Sequence, residues 1–293
     1  MDSVFYQIAG IVTYGLLASG SYILMAMGLS LIYGVSGVFN YAHGSLLTIG
    51  AYIAWLLFAL FSQYINYMMV FILVIPVMFY IGVGIETIII RPLRRRPNWG
   101  FSAIIATLGL ALIIDALIFI FFGPLLKTLP RPITGSIIVF GFPLNNYKMV
   151  ILLVTLILSI SLGLFFRRTL IGLSMRAVAQ DGTGARIVGI PLNKIFGYTF
   201  GVSSVLAGIS GIFLGSSYNL SPEGGWLFFI KAFIIVAVGG IGSLKGAFYA
   251  AVMLAVLESI VSFQFGNKWV MPCWFLSLMI ILIFKPKGLC GER

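Results

Sequence analysis

The sequence predicts an all-α fold, a polytopic membrane helix bundle of about eight or nine transmembrane segments. Three observations predict it. The chain is 61% hydrophobic and 9% charged over 293 residues, and its mean hydropathy of +1.13 is more than a soluble core of this length could hide. Apolar stretches of about 20 residues, enough to cross a hydrocarbon core, recur along the chain. Lys and Arg fall unequally between alternate loops.

Candidate spans lie near 8–34, 44–61, 66–90, 101–122, 147–166, 194–217, 226–243, 247–264 and 269–284. The first is too long for one straight crossing, and only Gly240-Ile241-Gly242-Ser243 separates the seventh from the eighth. One or two of these nine are therefore expected as half-helices or tilted pieces, with eight as the working count. Met1-Asp2-Ser3 lacks the positive region of a cleavable signal, and the apolar stretch after it outruns a signal core, so it is expected to remain as a span. Small residues at helical spacing, Ala207, Gly211 and Gly215 with Ser204 and Gly208 beside them, suit close helix packing in lipid.

Placing the C-terminal tail inside puts thirteen of the eighteen Lys and Arg, Arg293 among them, on the cytoplasmic side. Lys127, Arg131, Lys148, Lys231 and Lys268 fall on the other. The positive-inside rule then sets the N-terminus outside and the C-terminus in the cytoplasm. In such a chain the net charge of +11 speaks of topology and anionic lipid headgroups, not nucleic acid. A single transmembrane domain over 1–293 is expected, with an external loop at 123–146 and a cytoplasmic loop at 167–194. The external loop carries four prolines around the β-prone run Ile137-Ile138-Val139-Phe140, the pattern of a short hairpin or loop.

The cytoplasmic loop is too long and too patterned for a bare connection. Leu173, Ala177, Ile187, Val188 and Ile190 alternate with Arg176, Gln180, Asp181 and Arg186, an amphipathic element ending at Gly189 and stopped by Pro191. It either presents a docking surface or lies on the headgroups.

Several chemistries have no support. No phosphate-binding Gly-x-x-x-x-Gly-Lys-Ser/Thr occurs, and one histidine with two separated cysteines, Cys273 and Cys290, builds neither a metal site nor a disulfide framework. Neither an enzyme nor a cofactor is expected. Four charges fall at membrane depth: Glu86, near enough to Arg91 to pair with it; Asp115 and Lys231, both in the outer half and able to pair; and Glu258, an interior anchor or a pathway residue.

The only histidine lies in Asn40-Tyr41-Ala42-His43-Gly44, between the first two apolar stretches, with Gly34, Gly37 and Gly44 free to break the helix. Unwound backbone at membrane depth is tolerated only inside protein or along a watered cavity. Asn40 and His43 are expected to satisfy such backbone, to line the path of a passing substrate, or, for His43, to sense pH.

Taken in order, YGVSGVFNYAHGSLLTIGAY at 33–52, RPLRRRP at 91–97, ATLGL at 106–110, the helix from Phe200 to Gly211, GGIGSLKGA at 239–247, Glu258 and KPKGL at 285–289 resemble one family. It is that of the integral-membrane permeases of bacterial and archaeal ABC importers for hydrophobic amino acids, the LivH type. The pattern Arg176-Ala177, Asp181, Ala185, Gly189-Ile190 is similar to the cytoplasmic motif that seats such permeases on their ATPase. The resemblance implies a permease for branched-chain or other hydrophobic amino acids in the cell membrane. It also implies partners: cytoplasmic ATPase subunits, a second related permease and an external solute-binding protein. Urea or short amides are the alternative substrates, and an ion-coupled secondary transporter with broken helices at 34–51 and 239–255 is the alternative class. Asp181-Gly182-Thr183-Gly184 departs from the family, which has helix formers there, and each interior glycine costs about 1 kcal/mol against alanine. The loop is thus expected as a helix over 174–180, a break at Asp181-Gly182, and a second turn over 183–188 capped by Asp181 or Thr183.

Overall fold

The computed structural model describes residues 2–61, 64–139 and 142–291; Met1, Phe140 and Arg293 lie outside them. α1 (Asp2–Ser36) gives way to a non-helical segment over 37–42, then to α2 (His43–Phe61) and α3 (Tyr67–Ile85). α3 runs through a π-helical turn, Glu86–Ile90, into the short α4 (Arg91–Leu93). After α5 (Trp99–Phe122) comes the expected hairpin, β1 (Ser136–Val139) antiparallel to β2 (Phe142–Asn145). α6 (Asn146–Arg168), α7 (Leu170–Gln180), α8 (Gly182–Ile187) and α9 (Leu192–Ser217) follow. The chain closes with α10 (Gly225–Gly239), α11 (Leu244–Phe265), a 3₁₀ turn at Asn267–Trp269 and α12 (Val270–Phe284).

Short polar side chains start several of the helices, each taking up N–H groups that a helix leaves unpaired. Asn66 accepts from the Met69 amide, Asn145 from those of Tyr147 and Lys148, and Ser243 from that of Gly246. At the other end, Gly123 and Gly266 close α5 and α11 with positive φ.

Among the described residues, eight helices are long and apolar enough to cross a membrane. The expected span at 226–243 is instead the 15-residue α10, which rises about 22 Å against a core of about 30 Å. The first apolar stretch, a candidate for division, is one unbroken helix of 35 residues.

α1 and α9 form the interior: 89% and 83% of their most apolar windows are buried, against 11% for α12 on the outside. α1 packs on α6, α9, α10 and α11, while α9 also packs on α2 and α3. Lipid is as apolar as leucine, so burial alone does not drive these contacts; small residues that let backbones meet do. A methyl placed on Gly208 would lie 2.6 Å from Met78 of α3, and one on Gly211 would overlap the Leu47 carbonyl of α2. The small-residue stripe of α9 is therefore its packing face against α2 and α3.

Gly211→Ala should lower the apparent stability of the detergent-solubilised chain by about 1–3 kcal/mol, the usual cost of overpacking. Gly109→Ala, with open space at its Cβ position, should leave stability unchanged or raise it by up to about 1 kcal/mol. Chemical denaturation followed by tryptophan fluorescence compares the two.

Candidate functional site

The break after α1 re-enters the bundle. His43 Nε2 lies 2.9 Å from the carbonyl oxygen of Met25, eleven residues, or about 16 Å of helix, before the end of α1. α2 therefore begins near mid-depth, and the six residues from 37 to 42 climb back along α1 and α10. Phe39 packs on Phe233, and Tyr41 on Phe229. Gly37, with φ of 71°, makes the turn that starts the climb.

Backbone exposed by the break is satisfied locally. Ser36 Oγ donates to the Val38 carbonyl at 3.1 Å. The Tyr41 amide donates to Thr107 Oγ1 of α5 at 3.2 Å, the Ala42 amide to Asn40 Oδ1 at 3.1 Å, and the His43 amide to the Asn40 carbonyl at 3.1 Å. A carbonyl only accepts, so His43 carries its proton on Nε2 in the bond to Met25. Asn40 and His43 are both buried, and Asn40 Nδ2 and His43 Nδ1 have no partner among the described residues.

Gly44 opens α2 against the first residue of α10. A methyl on Gly44 would lie 2.5 Å from the Gly225 carbonyl oxygen and 2.8 Å from Phe229 Cβ. Two helix N-termini thus meet inside the bundle, where any larger side chain would drive them apart.

Charge at depth is compensated. Lys231 Nζ lies 2.9 Å from both carboxylate oxygens of Glu258 and 2.8 Å from Tyr22 Oη, which in turn donates to Glu258 at 3.1 Å. The ammonium also sits 4.7 Å and 5.0 Å from the ring centroids of Tyr22 and Trp274, a favourable cation–π position. Lys231 does not meet Asp115, which instead accepts from Trp226 Nε1 at 2.7 Å. α10 packs on α11, so Lys231 finds the acid of that neighbouring helix.

At the end of α3 Glu86 accepts from Arg91 at 2.6 Å, the expected pair, and also from Arg94. Arg94 lies 4.0 Å from the centroid of Phe196 and donates to Asn193, which pins α3 to the start of α9. Burial pulls the Arg94 guanidinium below its ordinary range, while neighbouring Glu86 pushes the other way.

The 167–194 loop forms two helices. α7 starts at Leu170, four residues before the expected start, because Thr169 Oγ1 accepts from the Gly172 amide. The chain breaks at Asp181, whose carboxylate accepts from the Thr183 amide to open α8, as expected of an acidic cap. The buried face is Gly172, Met175, Val178 and Ala185, while Ile187 and Val188 are 81% and 76% exposed. Arg176, Asp181 and Gly189 are exposed, while Ala177 and Ile190 are half-buried. Gly189, with φ of 85°, lets the chain leave α8 and enter α9 at Leu192.

The α7 part of the loop thus lies at the end of the bundle where α1 ends, about 16 Å of helix from the level of Met25 and His43, and Glu258 stands apart with Lys231. Sequence reasoning missed Thr107, Tyr22 and Trp274, because a hydroxyl or an aromatic ring in an apolar helix carries no signal of its partner.

Unwound backbone at mid-depth, a short helix entering the bundle interior and a buried ion pair define a multi-span transport protein. The chain belongs to the family described as branched-chain amino acid transport system / permease component, whose model matches residues 11–284. It is 29% identical to the high-affinity branched-chain amino acid transport system permease protein BraD of Pseudomonas aeruginosa, over 100% of this chain and 98% of BraD. It is 27% identical to LivH of Escherichia coli K12, over 95% of this chain and 94% of LivH. LivM, a permease protein of the same system in that organism, is 25% identical over 92% of this chain and 67% of LivM. Among solved structures, PsaBC from Streptococcus pneumoniae in complex with Fab shares the fold, with a TM-score of 0.54 at 14% identity over 94% of this chain and 92% of that one.

Lys231→Met, which strands Glu258 in the bundle, should cost about 3–5 kcal/mol of stability. Adding Glu258→Gln should recover most of that loss, and denaturation midpoints of the two variants and the parent measure it.

Proposed function

We propose that this chain is the channel-forming permease subunit of an ABC importer and that it carries branched-chain or other hydrophobic amino acids across the cell membrane. One observation carries the reading: the family model spans residues 11–284, nearly the whole chain rather than a single motif. ATP is hydrolysed on separate cytoplasmic subunits. An external solute-binding protein delivers the substrate, and a second, related permease completes the path. Likeness to both LivH and LivM supports a pair built from two related chains.

The chain acts as one transmembrane domain over 1–293, with its N-terminus outside and its C-terminus in the cytoplasm. The Lys and Arg excess at the end that holds α4, α7 and α8 supports that orientation. Coupling passes through the loop of Arg176, Ala177, Asp181, Ala185, Gly189 and Ile190. The exposed Ile187 and Val188 offer the ATPase an apolar foothold. Asn40, His43 and Gly44 form the hinge of the path, and Glu258 anchors its outer half. Glu86 is held by Arg91, Glu258 by Lys231 and Asp115 by the Trp226 indole, an arrangement that speaks for structural roles and against an ion relay.

Proteoliposomes holding the chain with its co-encoded partners should take up leucine only when ATP is supplied on the loop side. Uptake that follows a sodium or proton gradient with no ATPase present would overturn the reading. Val188→Asp should cut substrate-stimulated ATP hydrolysis by about tenfold or more by burying a charge in the contact, while the variant still inserts and purifies as a single species.

A further inference from the structure

A cavity of about 600 Å³ opens at the loop end of the bundle, between the end of α1, the end of α6, α7 and the turn from α10 to α11. Arg167, Arg176 and Lys245 line it, and none of its described lining residues is acidic. Those three cations make no ion pair among the described residues, whereas the cations at Arg91, Arg94 and Lys231 all do.

The cavity also reaches down into the membrane. Leu31 and Leu164 are part of its wall, and so is Ser30, six residues or about 9 Å below the end of α1. Ser30 is fully buried, and its hydroxyl has no hydrogen-bond partner among the described residues. Ile160 and Leu164, 63% and 49% exposed, edge the cavity on the outer surface of α6, where it meets lipid.

We propose that this cavity is a binding site for an anionic phospholipid of the adjoining leaflet. Arg167, Arg176 and Lys245 hold the headgroup phosphate, the Ser30 hydroxyl donates to an ester carbonyl of the glycerol backbone, and an acyl chain leaves along Ile160 and Leu164. Each part of an amphiphile meets its match: cations at the interface, a lone hydroxyl one layer deeper, and apolar wall below. A free phosphate would use only the first of these, and a water-soluble partner could not reach Ser30 without entering the bilayer. The site joins α7 to α1 and α6, so the lipid would brace the proposed coupling loop from the membrane side. Headgroup binding itself does not depend on the proposed transport role or orientation; only the identity of the leaflet does.

The full-length chain, purified with its co-expressed partners and delipidated, is titrated with phosphatidylglycerol or phosphatidylcholine, and bound lipid is counted by native mass spectrometry. Phosphatidylglycerol should bind at least about tenfold more tightly than phosphatidylcholine, and the double variant Arg167→Gln, Lys245→Gln should abolish that preference. Ser30→Ala, which leaves the charges in place, should weaken retention of phosphatidylglycerol severalfold while keeping the preference for it. Equal binding of the two lipids, an undiminished preference in the double variant, or displacement of the lipid by millimolar inorganic phosphate would each overturn the assignment. Uptake of leucine by the parent protein is read separately, so failure of the transport reading is distinguishable from failure of this one.

Discussion

Inside a bilayer no water is at hand to satisfy a backbone amide or carbonyl, and each one left unpaired costs several kcal/mol. The rest of this structure depends on how that constraint is met where the helices are interrupted. The segment 37–42 is the clearest case. Its amides and carbonyls find Ser36, Asn40 and Thr107, two of them within the segment's own neighbourhood and one across the bundle on α5. The polar run around His43 therefore exists because the backbone there is unwound. A helix continued through the same depth would have needed none of those side chains. Phe39 and Tyr41, packed on Phe233 and Phe229, show the apolar half of the same solution.

Charge obeys the same constraint at higher stakes. Lys231 and Glu258 surround each other with a phenol and two aromatic faces, and Glu86 is closed in by two guanidinium groups. Such pairs contribute little net stability over an apolar replacement but penalise any arrangement that separates the partners. The first holds α10 on α11; the second is local to the stretch that follows α3, and the Arg94 it holds reaches Asn193 and Phe196 at the start of α9. The cations of the cavity under α7 stand outside these pairs and share one concave surface with no acidic residue among its described lining.

Much of the architecture was legible in the sequence because the signals were local. Length and composition alone give the crossings, four prolines and a β-prone run give the hairpin, and Asp181 before two glycines gives the break between α7 and α8. What could not be read was which side of each helix faces inward. In water an amphipathic stripe reports burial, but a lipid-facing surface is as apolar as the interior, and the usual periodicity vanishes. The substitute signal is residue size, and where small residues cluster, as at Gly208 and Gly211, the packing face could be read. Where they do not, reading fails. Asp115 turned to Trp226 and Lys231 to Glu258, since sequence separation says nothing of which helix lies beside which. In the amphipathic loop, Met175 and Val178 of α7 are buried while Ile187 and Val188 face outward.

The placement of α9 ties the loop to the break. It begins at Leu192, immediately after the turn at Gly189 and Pro191, and its lower end is gripped by Arg94 through Phe196 and Asn193. Further up, Ser203 donates to the Gly28 carbonyl of α1 at 2.7 Å, beside the His43 ring, and Gly211 rests on the Leu47 carbonyl one turn into α2. A close-packed interior transmits displacement instead of absorbing it. A push on the proposed coupling loop therefore enters α9 at its foot and is delivered to the start of α2, where six unwound residues are the softest part of the α1–α2 connection. Gly44 and Gly225 then determine how far the two helix starts can slide, because backbone rests on backbone there with no side chain to compress. α9 is in this sense the shared element, in contact with the loop at its foot and with the start of α2 through its small residues.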